Sequence, residues 1–220
     1  IRIVSAGKIN CQSLVHLCVL HFSLGTVAER KFNMKTNTKK IAGVGLLSAI
    51  VVVLQLLGSF IHFGPFSISL VLIPIVVGAS LYGALSGAWL GLVFGITVLL
   101  SGDAAAFLTV NPAGTVITVI LKGALAGLLA GGIYKLLESK NKAIATIISA
   151  IVCPVVNTGI FLIGCRLFFF DTIKEWAGGT NAFVYMITGL VGFNFLFELG
   201  ANIILSPTIV KLTTLGRRER

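Results

Sequence analysis

The stretch Asn194-Phe-Leu-Phe-Glu198-Leu-Gly-Ala-Asn202 decides how this chain is read. A spacing of four puts Asn194, Glu198 and Asn202 on one line of a helix. The surrounding sequence, from Phe183 to Val210, is otherwise predominantly apolar. A carboxylate in the middle of a lipid-compatible helix costs about 3 kcal/mol on insertion scales, so it faces the interior of a bundle, toward a partner or a solvated cavity. Two readings of Glu198 follow. It is a structural brace to a neighbouring helix, or it lines a pocket for a polar small molecule.

Composition fixes the setting of that helix. Of 220 residues, 56% are hydrophobic and only 11% charged, and mean hydropathy is +1.03. Soluble domains carry roughly 25% charged residues, so this chain lacks the polar surface to remain in water. Six long apolar segments follow one another, which suits one helical bundle in a bilayer with no separate soluble domain. The net charge of +10 resides mainly in the segments between apolar stretches, a topological signal and not a nucleic-acid face. The cysteines have no metal-ligand spacing, and Cys153 and Cys165 read as small buried hydrophobes.

Residues 1–33 look foreign to the rest, with a short apolar run (Leu14–Leu24) interrupted by His16 and His21. Met34 followed by Lys35, Lys39 and Lys40 and a full-length apolar segment is the expected start, with 1–33 as an upstream extension and 34–220 as the membrane domain. The spans are expected at about 41–61, 68–82, 84–100, 112–137, 143–170 and 183–212. The first carries Gly45 and Ala49 as a small-xxx-small pair on one face, and Gln55, Ser59 and His62 on another. Pro74 is expected to kink the second, and Pro154, Asn157 and Thr158 to interrupt the fifth. Gly83, Gly87, Gly91 and Gly95 form one line on the third span, and Gly123, Gly127 and Gly131 form another on the fourth.

Lys and Arg cluster in the N-terminal lead, between spans four and five, and at the C-terminus. With six spans these fall on one side, so both termini are cytoplasmic and the loops 62–69, 101–111 and 171–182 are external. The expected fold is therefore an all-α integral membrane protein, a six-transmembrane-helix bundle in a bacterial inner (cytoplasmic) membrane.

No phosphate-binding Gly-x-x-x-x-Gly-Lys-Ser/Thr, no His-Glu-x-x-His and no Gly-x-Ser-x-Gly occurs, so neither ATP hydrolysis nor hydrolase chemistry is expected, and no cofactor or metal. The polar residues instead gather toward the external half: Gln55, His62, Asp103, Asn111, Lys122, Asn157, Arg166, Asn194 and Glu198. Lys122 and Glu198 fall at similar depth, where each neutralises the other when a pocket is empty.

From Met34 onward the chain resembles the substrate-binding S components of energy-coupling factor (ECF) vitamin transporters. The resemblance is carried by Gly45/Ala49 and the Gly-Pro loop after span one, by Ile73-Pro-Ile-Val-Val-Gly78 leading into Tyr82-Gly-Ala-Leu-Ser-Gly-Ala-Trp-Leu-Gly91, by Asn111-Pro-Ala-Gly114, and by Pro154-Val-Val-Asn157-Thr-Gly159. It implies a bundle that captures a water-soluble vitamin outside and joins a transmembrane coupling subunit and two ATPases. It also implies that the small residues of span one, here Gly45 and Ala49, meet the coupling subunit. Lys122 and Arg166 beside amides favour a ligand with a carboxylate, pantothenate before riboflavin or folate. The rival class is a proton-coupled secondary transporter working through Glu198 and Lys122, for which an inverted repeat would be expected, and none is evident.

Overall fold

The computed structural model describes residues 38–59, 62–63, 66–67 and 70–218. The expected extension 1–33 and the start at Met34 lie outside the described residues. The chain divides at Ala42/Gly43, and the body described below begins at Gly43.

Helix α1 (Thr38–Gly58) is followed by a two-residue pair of antiparallel strands, β1 (His62–Phe63) and β2 (Phe66–Ser67), with His62 opposite Ser67. Then come α2 (Leu72–Tyr82), α3 (Ala84–Ser101), the single turn α4 (Ala105–Leu108), α5 (Pro112–Leu137), α6 (Lys142–Phe168) and α7 (Phe170–Trp176). The last arm is α8 (Ala182–Tyr185), a π-helical stretch Met186–Val191, and α9 (Gly192–Arg218).

Among the described residues, five helices are long and apolar enough to cross a bilayer: α1, α3, α5, α6 and the part of α9 from Asn194 to Leu215. The expected second span is shorter than a span. At 1.5 Å per residue the 11 residues of α2 reach only about 16 Å, against a hydrocarbon core of about 30 Å. The strand pair takes up the chain on one side of it, and Gly83, at φ +95, breaks the helix on the other. Such a backbone conformation is open to glycine and strained for most other residues. α2 is a core helix: Leu72, Ile75, Val76, Gly78 and Ala79 are all buried, and it packs on α3, α5, α6 and α9. Pro74 lies in its first turn, where a missing N–H removes no intrahelical bond, so the expected kink has no cause.

α1 also stops earlier than expected, at Gly58, which leaves His62 on β1 and off the helix face that carries Gln55. Helix α6, by contrast, runs without a break through Pro154. A missing hydrogen bond inside a membrane helix is tolerated where neighbouring helices pack against the gap, and Pro154 is buried.

The glycine lines form the centre of the bundle. Cβ atoms built at Gly87 and Gly91 would strike the backbone of Gly127 and Gly123 on α5, and the clash is reciprocal. At Gly95 a Cβ would come 2.9 Å from the Val119 carbonyl oxygen, and at Gly131 2.5 Å from the Ala84 Cα. α3 and α5 therefore meet backbone to backbone, which only glycine permits and which raises dispersion contact where no hydrophobic force acts between helices in lipid. Gly83 has no such neighbour; its part is the break between α2 and α3. Pro112 begins α5 as expected, and Asn141 caps α6 by accepting from the amides of Ala143 and Ile144 at 2.9 and 3.3 Å.

Candidate functional site: a polar cavity between the helices

At one end of the glycine seam the helices separate around a cavity of about 80 Å³. That is several times the roughly 10–15 Å³ one water requires. α5 contributes Thr115, Thr118 and Lys122, which recur at i, i+3 and i+7 and so share one helix face. α6 contributes Asn157 and Phe161, α9 contributes Asn194, Phe195 and Glu198, α1 contributes Gln55, and the turn after α3 contributes Asp103.

The π-helical stretch places the last arm. A π turn holds more residues than an α turn and rotates the register that follows it. Leu190 and Val191 at its end therefore line the cavity together with Asn194 and Glu198 from α9. The polar line continues inward: Glu198 and Asn202 are 3% and 2% exposed. The Asn202 amide donates to the Glu198 carbonyl oxygen at 2.9 Å.

Lys122 and Glu198 look into the same cavity and interact through space, without a direct ion pair. The Lys122 ammonium stands over the rings of Phe161 and Phe94, 5.3 and 5.7 Å from their centroids, within the range of cation–π attraction. Glu198 accepts side-chain hydrogen bonds from Asn194 and Asn157 instead. With their amide nitrogens so engaged, the Asn157 and Asn194 Oδ1 atoms are buried and unpartnered, as is the Thr118 hydroxyl. Buried polar atoms are nearly always satisfied, so three orphans around one cavity mark a place for a polar guest.

Asp103 forms the other polar pole. Gly102, at φ 87, ends α3 in the left-handed conformation and turns the chain so that Asp103 reaches the cavity. Gln55 Nε2 donates to Asp103 Oδ2 at 2.6 Å, and Ser101 Oγ donates to the same atom at 2.9 Å. An aromatic wall joins the two poles. Phe107 packs edge-on against Phe161 and Phe169, with ring centroids 5.7 and 5.0 Å away, and against Trp176 at 5.6 Å.

Of the residues singled out in the sequence, Gln55, Asp103, Lys122, Asn157, Asn194 and Glu198 meet here. Asn111 does not line the cavity; its side chain accepts from the Gly114 amide at 3.0 Å and caps α5. Arg166 is exposed, its guanidinium stacked 3.9 Å above the Phe170 ring and 5.5 Å from that of Phe183. His62 lies on β1, and its side chain is outside the described part of the structure. Cys153 and Cys165 are free and buried. Sequence reasoning passed over Thr115, Thr118 and the aromatic wall. The shared face of Thr115, Thr118 and Lys122 was the signal available for the threonines; nothing distinguishes the wall phenylalanines from the chain's other phenylalanines.

Comparison with known proteins adds two findings. Residues 39–210 match the family described as "ECF transporter, substrate-specific component". The pantothenic acid transporter PanT of Lactococcus lactis subsp. cremoris (strain MG1363) is 28% identical over 202 residues, covering 84% of this chain and 98% of the relative. With the family match covering most of its length, the chain belongs to the substrate-specific components of ECF transporters.

Proposed function

We propose that this protein captures pantothenate on the external side of a bacterial cytoplasmic membrane and passes it on through a coupling subunit and two ATPases. The observation that carries the reading is the cavity's chemistry. Lys122 supplies a cation, the unpartnered atoms of Thr118, Asn157 and Asn194 supply hydrogen-bonding partners, and Phe107 and Phe161 supply an apolar wall. Pantothenate has the complementary parts: one carboxylate, one amide, two hydroxyls and a dimethyl carbon. The similarity to a pantothenic acid transporter points the same way.

The topology proposed is the one the charge distribution supports, six membrane segments counting α2, with both termini cytoplasmic. Lys135, Lys140, Lys142 and Lys211 then lie on the cytoplasmic side and the cavity opens near the external turn at Asp103. Contact with the coupling subunit falls to α1. It is the least buried of the five long helices, with 11% of its most apolar stretch covered against 44% for α3. Gly45 and Ala49 are exposed on it, and a Cβ at Gly45 meets open space. The test is to purify the protein from its native membrane and identify by mass spectrometry the small molecule it retains. Pantothenate is expected; riboflavin or folate in its place overturns the assignment.

A further inference from the structure

Among the described residues that line the cavity, the charged ones are two carboxylates and one cation: Asp103, Glu198 and Lys122. An anionic ligand group is repelled by both carboxylates and attracted by Lys122, so neither carboxylate is a contact for that end of a ligand. Glu198 is engaged with its neighbours instead. Asn194 precedes it by one turn on α9, Asn157 reaches it from α6, and both amides donate to its carboxylate. All three residues line the cavity, and Asn157 and Glu198 are buried.

An asparagine amide turned over about its last bond exchanges a donor for an acceptor with almost no change of shape, so its neighbours decide which end faces a ligand. A carboxylate accepts and never donates, and an amide beside it therefore gives it an N–H. Both residues carry the consequence: Oδ1 of Asn157 and Oδ1 of Asn194 are buried without a hydrogen-bond partner. Two orphans of one kind, both acceptors, call for a guest that donates.

We infer that Glu198 is a positioning residue that sets the hydrogen-bonding polarity of the cavity: it holds Asn157 and Asn194 with their carbonyl ends free, and so selects ligands that bring O–H or N–H groups to this wall. On the pantothenate reading above, on which this rests, Lys122 takes the carboxylate and the asparagines take donors, which in pantothenate are two hydroxyls and one amide N–H. A ligand group that only accepts would meet Oδ1 lone pair to lone pair and leave both atoms buried and unpaired. Turning an amide over to serve such a group would withdraw its N–H from Glu198 and aim Oδ1 at a carboxylate. The orientation is therefore held against the wrong ligand as well as offered to the right one.

The test uses the full chain in lipid nanodiscs and calorimetric titration with pantothenate and three analogues, each of which turns one donor into an acceptor: the ketone at the secondary alcohol, the methyl ether of the primary alcohol, and the ester in place of the amide. The unaltered chain should bind at least one analogue about ten-fold or more weakly than pantothenate, the scale of leaving a buried acceptor unpaired. Glu198→Gln, whose own amide both donates and accepts, frees the asparagines to turn, and that same analogue should come within about three-fold of pantothenate. The ratio of two ligands on one protein cancels any loss of stability or overall affinity, which is all that a structural brace would cause. If Glu198→Gln does not fold, the charge-balanced pair Lys122→Met with Glu198→Leu decides: it should bind the two ligands within about three-fold of each other, while Lys122→Met alone keeps the preference. An unaltered chain that binds pantothenate and tolerates all three analogues, or a Glu198 variant that keeps the preference, would overturn the role of Glu198. An unaltered chain that binds neither pantothenate nor any analogue instead removes the pantothenate reading itself.

Discussion

The ammonium of Lys122 and the carboxylate of Glu198 share one cavity without touching: the lysine stands over Phe161 and Phe94, and the glutamate is held by Asn194 and Asn157. Each charge thus has its own local partners, and the space between them is open to a third group. A closed salt bridge would have to be broken before a ligand could use Lys122. This arrangement leaves the lysine ready to receive an anion.

Lys122→Met is expected to weaken pantothenate binding by about one to two decades, from a charge-assisted hydrogen bond of roughly 1.5–3 kcal/mol at 1.4 kcal/mol per decade. Removing Lys122 alone also strands Glu198, so thermal stability should fall. The double variant Lys122→Met with Glu198→Leu should recover stability without recovering affinity. Wild-type affinity in the double variant would reduce the pair to a structural brace.

Asn111 separates capping from binding. It lies near the cavity in sequence terms but spends its side chain on the Gly114 amide. Asn111→Ala should therefore lower stability by about 1 kcal/mol, the cost of losing an N-cap, and leave ligand affinity unchanged. Asn111→Asp should restore the stability. A loss of affinity larger than a few-fold in folded Asn111→Ala would place this residue in the site after all.

The seam between α3 and α5 makes a sharp contrast available within one residue type. Gly91→Ala drives a methyl into the Gly123 carbonyl, and backbone cannot yield as a side chain can, so a loss of about 1–3 kcal/mol is expected. Gly132→Ala, on the same helix as Gly123 but with nothing within 4 Å of its Cβ, should be neutral or slightly stabilising. Melting curves of the two proteins in one detergent check both statements.

Assembly and energy source follow from the exposed face of α1. Ala49→Trp should abolish co-purification with the coupling and ATPase subunits and leave ligand binding intact. Uptake should need ATP and those subunits, and should persist when the proton gradient is collapsed with ATP maintained. Uptake by this chain alone in proteoliposomes, driven by a pH gradient, would favour the proton-coupled alternative.

What the sequence revealed divides along physical lines. Glu198 and Lys122 stood out because a charge in an apolar helix is costly and therefore has a reason. The glycine seam was legible because its period of four matches a helix face, although which glycine belonged to the seam and which to the break at Gly83 needed the backbone angle. The length of α2 was not legible: hydropathy runs from 68 to 82 without a mark where the helix begins. Arg166 was credited to the site for its charge, yet charge says nothing of direction, and on α6 it points away toward Phe170. The aromatic wall was hidden for the opposite reason. In a chain this rich in phenylalanine, Phe107 and Phe161 differ from their neighbours only in where the fold puts them.

The central claim, a cavity that takes pantothenate through this chain's own residues, is tested most directly by titrating the purified chain, free of partner subunits, with pantothenate, riboflavin and folate in turn. One pantothenate per chain is predicted, with no displacement by the other two, and with Lys122→Met shifted by one to two decades as above. Tight binding of riboflavin or folate with none of pantothenate, or pantothenate binding that Lys122→Met leaves untouched, would contradict it.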